Sequence, residues 1–171
     1  EGRGFIYLPI LNFADGHLDH VGELLGHPST VVSLSDGGAH CGTICDAAST
    51  TFMLTHWVRD RARGARIPLE QAIHRQTAHT AAAYGLNDRG ALKPGLIGDV
   101  NLIDLERLHL EKPYLAFDLP AGGKRLLQKA RGYVATIKSG KVTFRDGVAT
   151  GERPGVLIRG PQGVPMQMAA E

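Results

Sequence analysis

The apolar positions of the chain change rhythm near its middle. Over residues 18–25, Leu18, Val21, Leu24 and Leu25 recur at helical spacing, and Gly26 and Pro28 predict the helix end. Residues 31–34 follow as a short apolar run with too few polar alternations for a half-exposed strand. Such a run suits a strand covered on both faces, as in a parallel sheet sandwiched between helices. After a glycine-rich loop the helical spacing returns. Asp46 stands where an N-cap would open a helix over residues 47–63, with Phe52, Leu54, Trp57 and Val58 on its apolar faces and Gly64 as its stop. Pro68 occupies a favoured first-turn position for a further helix that runs through Ala72, Ile73 and residues 81–83 to Gly85. Beyond Asn87, short apolar segments are separated by Gly, Pro and Asp. Residues 100–105, 133–137 and 141–145 predict strands, with hairpin turns at Ser139-Gly140 and Asp146-Gly147.

This change of texture sets a boundary near residues 86–90. Residues 1–86 are expected to form an α/β layer, including a further strand over residues 5–10. Residues 87–160 are expected to form a small β-rich domain, and residues 161–171 a tail. At 171 residues the chain is long enough to bury the core of one domain or of two small ones. It starts at Glu1 rather than Met, with no signal segment after it, which reads as a start within a longer protein.

Nineteen Lys and Arg against seventeen Asp and Glu leave a formal charge of +2, too small and too evenly spread to point to a nucleic acid. The denser basic groups, Arg59, Arg61, Arg63 and Arg66, then Lys124, Arg125, Lys129 and Arg131, are expected to be solvated faces or complements to helix C-termini. No apolar segment approaches the roughly 20 residues that cross a bilayer. Cys41 and Cys45 are the two cysteines of the chain. They are expected to be buried, inert thiols in a reducing, cytoplasmic setting, with Cys41 the nearer to any site.

The candidate chemistry lies in the loop after residues 31–34. Asp36 is delivered at the carboxyl end of the expected strand, where α/β barrels place catalytic and metal-binding acids. Gly37 and Gly38 clear side chains from around it, and His40 shares the loop. An Asx turn, with Asp36 bonding only to nearby N–H groups, fits the same residues. Asp99 and Asp104 have a structural reading, as side chains that hold loops by bonds to the backbone. His56, beside Trp57, reads as a packing residue, and His17 and His20 as exposed histidines on a helix face.

Three stretches together resemble the C-terminal part of the amidohydrolase superfamily, in its N-acyl-D-amino-acid deacylase (D-aminoacylase) branch. Leu34-Ser35-Asp36-Gly37 is similar to that family's final barrel strand, whose Asp is the catalytic acid. Tyr84-Gly85-Leu86-Asn87-Asp88-Arg89-Gly90 through Asp99-Val100-Asn101-Leu102-Ile103-Asp104 resembles the passage from the barrel into the small β-domain. Thr150-Gly151-Glu152-Arg153-Pro154-Gly155 through Arg159-Gly160 resembles the closing segment. Gly98 departs from the Ala usual before Asp99, and residues 40–55 follow the better-known deacylases only loosely.

The resemblance implies the last part of a TIM-like (β/α)8 barrel followed by a small β-sandwich domain. It implies metal-dependent hydrolysis of N-acyl-D-amino acids with zinc as cofactor, Asp36 as catalytic acid and base and also a candidate metal ligand, and Gly37, Gly38 and His40 near the substrate. The family's H-x-H pair and later histidine ligands have no counterpart in this chain. The chain alone is therefore expected to be inactive and to need the missing N-terminal part of the same protein as its partner. Exposed sheet edges of part of a barrel would also favour a homo-oligomer. The alternatives are a cyclic amidase of the dihydropyrimidinase or hydantoinase type, and a non-catalytic binding or assembly module derived from an amidohydrolase.

Overall fold

A computed structural model describes residues 4, 6, 12–32, 38, 40–43 and 46–165. The first helix, α1 (Asp19–Gly26), forms where the apolar spacing predicts it. Its last turn is closed from outside by Arg75, whose guanidinium donates to the carbonyls of Gly26 and His27, both at 3.1 Å, and of Thr30 at 3.2 Å. A cation at the negative end of a helix also complements the helix dipole.

The helix expected over residues 47–63 is shorter and of another kind. One α-helical turn, α2 (Ser49–Phe52), continues into a π-helix over Met53–Asp60. The Asp46 side chain does not cap it; the Asp46 carbonyl accepts the Ser49 N–H at 3.1 Å instead. The wide turns bury Met53, Leu54, Thr55 and Trp57 together. The helix expected from Pro68 to Gly85 divides into α3 (Leu69–Gln76) and α4 (Ala78–Ala83). The break is Thr77, at φ −126° and ψ −94°. Its hydroxyl donates to the Ile73 carbonyl at 2.6 Å, the back-bonding by which Thr competes with a helix ladder.

The β-rich half contains eight strands: β1 (Val100–Ile103), β2 (His109–Leu110), β3 (Tyr114–Leu119), β4 (Gly123–Leu127), β5 (Ala130–Arg131), β6 (Tyr133–Lys138), β7 (Lys141–Arg145) and β8 (Val148–Ala149). They form a four-stranded antiparallel sheet in the order β1-β6-β7-β8 and two two-stranded pairs, β2-β5 and β3-β4. The two expected turns join β6 to β7 and β7 to β8. Ser139 (φ 52°) with Gly140 (φ 78°), and Asp146 (φ 48°) with Gly147 (φ 78°), give the paired left-handed residues that match strand twist.

Between β5 and β6 the chain passes so close to Leu108 that a Cβ on Gly132 would lie 2.6 Å from the Leu108 Cα. Gly132 also has φ +98°, so both space and conformation require glycine there. Leu108, thus overlain, is fully buried, in one cluster with Met53, Leu54, Trp57 and Ala72. Val21 and Leu25 of α1 and Ile103 and Tyr133 of the sheet pack around that cluster. The Thr51 and Tyr133 hydroxyls bond at 2.8 Å across the same contact, and Arg59 donates to the Leu105 carbonyl. The helical and β-rich halves therefore share one core. Leu86 forms an isolated parallel bridge with Gln162, so residues near 162 return to the joint between the halves.

The result is a small mixed α/β structure. No barrel and no parallel sheet forms among the described residues. Of the expected barrel strands, residues 31–32 are described and carry no strand. Residues 33–34, and all of residues 5–10 except Ile6, lie outside the described residues.

Leu108→Ala is expected to lower the unfolding free energy by about 2–5 kcal/mol, as truncation of a fully buried Leu does when its site cannot collapse. Denaturant unfolding of the two proteins checks this, and a loss well under 1 kcal/mol on the same scale would mean that the halves do not depend on this contact.

Candidate functional site

Asp36 and Gly37 lie outside the described residues, as does Cys45. The described part of their loop is Gly38 and residues 40–43, all exposed. Gly38 (φ 98°) and His40 (φ 42°) both have left-handed backbones. The His40 carbonyl accepts the Thr43 N–H at 2.7 Å and the Thr43 hydroxyl at 3.2 Å, which closes a turn over residues 40–43. Cys41, expected to be buried, is an exposed free thiol. Its carbonyl explains why: it accepts the backbone N–H of Leu126 on β4 at 2.6 Å, which holds the turn at the outer edge of the β3-β4 hairpin.

A shallow recess opens beside α1, lined by Phe13, His17, Leu18, Asp19, His56, Arg61 and Arg63. Among these, the Arg61 guanidinium lies 4.4 Å over the Trp57 ring, and the residue is only 7 % exposed. Arg61 Nη2 donates to Asp19 Oδ1 at 2.7 Å, and Arg63 Nε donates to Asp19 Oδ2 at 2.8 Å. The Arg63 hydrogen bond holds the Asp19 carboxyl below the usual carboxylate range, with further help from the positive charges of Arg63, His17 and Arg61 and some opposition from burial. Because Asp19 engages both guanidiniums, the recess is a clasp between α1 and the end of the π-helix. The expected solvated basic face is thus partly buried. Besides Arg61, Arg59 donates to Asp60 and to the Leu105 carbonyl, and Arg66 donates to the Arg61 carbonyl at 3.0 Å. Arg63 stays two-thirds exposed. The Trp57 face, which gives a cation an attractive apolar seat, accounts for the burial of Arg61.

His56 packs as expected, stacked on Phe52 at 4.8 Å between ring centroids and edge-on to Trp57 at 5.0 Å. Burial pushes its pKa below the usual histidine value; Arg61 adds to this and Asp60 opposes it. His17 stands just before α1 rather than on it, and His17 and His20 each lie beside a carboxylate, Asp19 at 3.4 Å and Asp15 at 3.7 Å. Among the described residues no three His, Cys, Asp or Glu side chains gather to hold a metal ion. They do not form a metal centre by themselves.

The segment from Asp88 to Asp99 is a structural joint. Arg89 pairs with Asp88 at 2.8 Å, and Asp99 Oδ1 accepts from Lys138 at 3.0 Å and from the Ser139 N–H at 2.9 Å. Asp104 Oδ1 likewise accepts the Arg107 N–H at 3.1 Å. At Gly90 (φ +92°) a Cβ would lie 2.9 Å from the Ala81 Cβ, so this passage packs directly on α4.

Residues 9–144 match the profile of the amidohydrolase family, and the chain belongs to that family. It is also 31 % identical, over 153 residues, to the N-acyl-D-aspartate deacylase of Alcaligenes xylosoxydans xylosoxydans. That alignment takes in 88 % of this chain and 28 % of the relative, so the chain spans less than a third of the relative's length. No solved structure matches it. The family implies a hydrolase, generally metal-dependent, on a TIM-barrel fold.

The depressed pKa of His56 gives a signed expectation. The unfolded chain binds a proton at His56 at a higher pH than the folded chain does. Stability from this group is therefore full above the ordinary histidine range and is lost as pH falls through the folded value. Between pH 7.5 and 5.5 the unfolding free energy should fall, with a slope below the limit of about 1.4 kcal/mol per pH unit for one proton. His56→Gln should flatten that slope in denaturant titrations at several pH values. An unchanged slope would place its source elsewhere.

Proposed function

We propose that this chain is the part of a metal-dependent N-acyl-D-amino-acid deacylase that carries its catalytic acid. The similarity to the N-acyl-D-aspartate deacylase over most of the chain supports this most strongly, and it makes N-acyl-D-aspartate the first substrate to try. In this reading residues 1–86 belong to the last part of the barrel and residues 87–160 to the small β-domain. Residues 161–171 end the chain, and the full-length protein is cytoplasmic.

The chemistry assigned to the chain's own residues is proton transfer. Asp36, as carboxylate, takes a proton from the attacking water while the water oxygen bonds to the acyl carbon. It then gives that proton to the amide nitrogen as the C–N bond breaks, so that a carboxylic acid and a free D-amino acid leave. In this reading Gly37 and Gly38 are assigned to leave room for the substrate beside Asp36, and His40 to meet the substrate carboxylate. Zinc is the cofactor we assign to the full-length protein, with Asp36 a candidate ligand. The residues described here do not assemble its other ligands, which would come from elsewhere in the protein.

The full-length protein is expected to release free amine from N-acetyl-D-aspartate and related N-acetyl-D-amino acids and to leave the L-enantiomers intact. Chelation should abolish turnover and zinc should restore it, while residues 1–171 alone should show none. Hydrolysis of hydantoins instead would make the protein a cyclic amidase. Turnover of neither substrate class would leave a non-catalytic module.

A further inference from the structure

On the reading of this chain as part of a longer deacylase, we propose that residues 153–159 are a docking strand, taken up by the part of that protein outside residues 1–171. The segment is fixed at both ends. Before it, the Thr150 N–H donates to the Thr143 carbonyl at 2.9 Å and the Thr150 hydroxyl to the Val142 carbonyl at 2.7 Å, which ties the chain to β7. After it, the Gln162 N–H donates to the Gly85 carbonyl at 2.7 Å. The Gln162 carbonyl accepts from the Asn87 N–H at 3.3 Å and from the Asn87 side-chain amide at 3.2 Å. Pro161 packs on the same joint, where a Cβ on Gly85 would lie 3.0 Å from the Pro161 Cβ.

Between these anchors the chain is uncovered. Residues 153–159 form no helix or strand and take part in no hydrogen bond among the described residues. Val156 and Leu157 are each 75 % exposed, and only Pro154 and Ile158 are half-buried. A single exposed apolar side chain is ordinary. Here Val156, Leu157 and Ile158 are consecutive, between Arg153 and Arg159. Taken up as a strand, they would offer Val156 and Ile158 on one face and Leu157 on the other. An apolar run of that kind suits a strand covered on both faces, and its free backbone supplies the donors and acceptors by which a strand joins a sheet edge. Because both ends are already held, docking orders few further residues, which lowers its entropic cost.

The alignment with the N-acyl-D-aspartate deacylase takes in 28 % of that relative, so most of a protein of that length lies outside these residues. A segment of the same chain meets the strand at an effective concentration that a free second copy does not reach in dilute solution. That favours the rest of the protein over a second copy as the occupant. The segment also follows β8, the edge strand of the four-stranded sheet among the described residues, where Val148 is 70 % exposed, so apolar surface is open at that edge as well.

Hydrogen exchange of the full-length protein gives the first test. The amides of Gly155, Val156, Leu157 and Ile158 should exchange more slowly than in an unstructured chain by about tenfold or more, since an undocked segment opens at almost no cost. Photo-cross-linking identifies the occupant. A benzophenone side chain in place of Leu157 should join to a peptide outside residues 1–171 and leave the product at the mass of one chain. The same side chain in place of Val156 covers the case in which the first variant fails to fold, and the exchange measurement needs no variant. Free exchange of these amides, a cross-link confined to residues 1–171, a covalent pair of copies, or no cross-link in a folded protein each overturns the proposal. A full-length protein inactive on N-acyl-D-amino acids defeats the deacylase reading alone, and exchange and cross-linking still decide whether the strand is docked.

Discussion

Trp57 is too large to be buried by the helix that bears it, and the structure is arranged around covering it. A Cβ on Gly22 would come within 3.0 Å of the indole, so α1 can lie against the ring only because that position is bare. Arg61 covers the ring with its guanidinium and joins it to Asp19 at the start of α1. Met53 and Leu54 of the same π-helix, Ala72 of α3 and Leu108 of the β-rich half complete the enclosure. Each of these contacts buries apolar surface that its own element could not bury alone, which is what makes helices and strands interdependent.

Much of the architecture is legible in the sequence because its signals are local. Helical spacing finds α1, and the Ser139-Gly140 and Asp146-Gly147 pairs fix their hairpins through the left-handed φ values that such dipeptides accept. The misses are of four kinds. A π-helix carries no residue signature that separates it from an α-helix, so Met53–Asp60 reads as ordinary helix. Thr77 breaks the helix after Pro68 through a hydroxyl-to-backbone bond, a tendency too weak to predict against a good apolar pattern. Arg61 reads as solvated, since arginine is seldom buried, and its seat on Trp57 exists only in three dimensions. The β3-β4 hairpin is hidden by Asp118, Pro120 and the basic residues around Arg125, which disguise its apolar alternation.

For the candidate site the division is similar. The Asp36, Gly37, Gly38 and His40 loop stands out in the sequence as chemistry flanked by glycine, and the amidohydrolase family match extends across it. What ties the following 40–43 turn is not legible there. A bond from the backbone of Leu126 to the backbone of Cys41 depends on no side chain, and its partners lie in different halves of the chain. The structural reading of Asp99, by contrast, is legible in the sequence, and Asp88, Arg89, Asp99 and Lys138 pair with one another at the joint between the halves.

If Asp36 moves the proton in an amide hydrolysis, the turnover of Asp36→Asn in the full-length protein reports it, with metal content and the unfolding transition recorded alongside. Turnover should be lower by about 10² or more, as for loss of a general acid and base, in a protein that still folds cooperatively. Near-normal turnover in that variant would remove Asp36 from the mechanism.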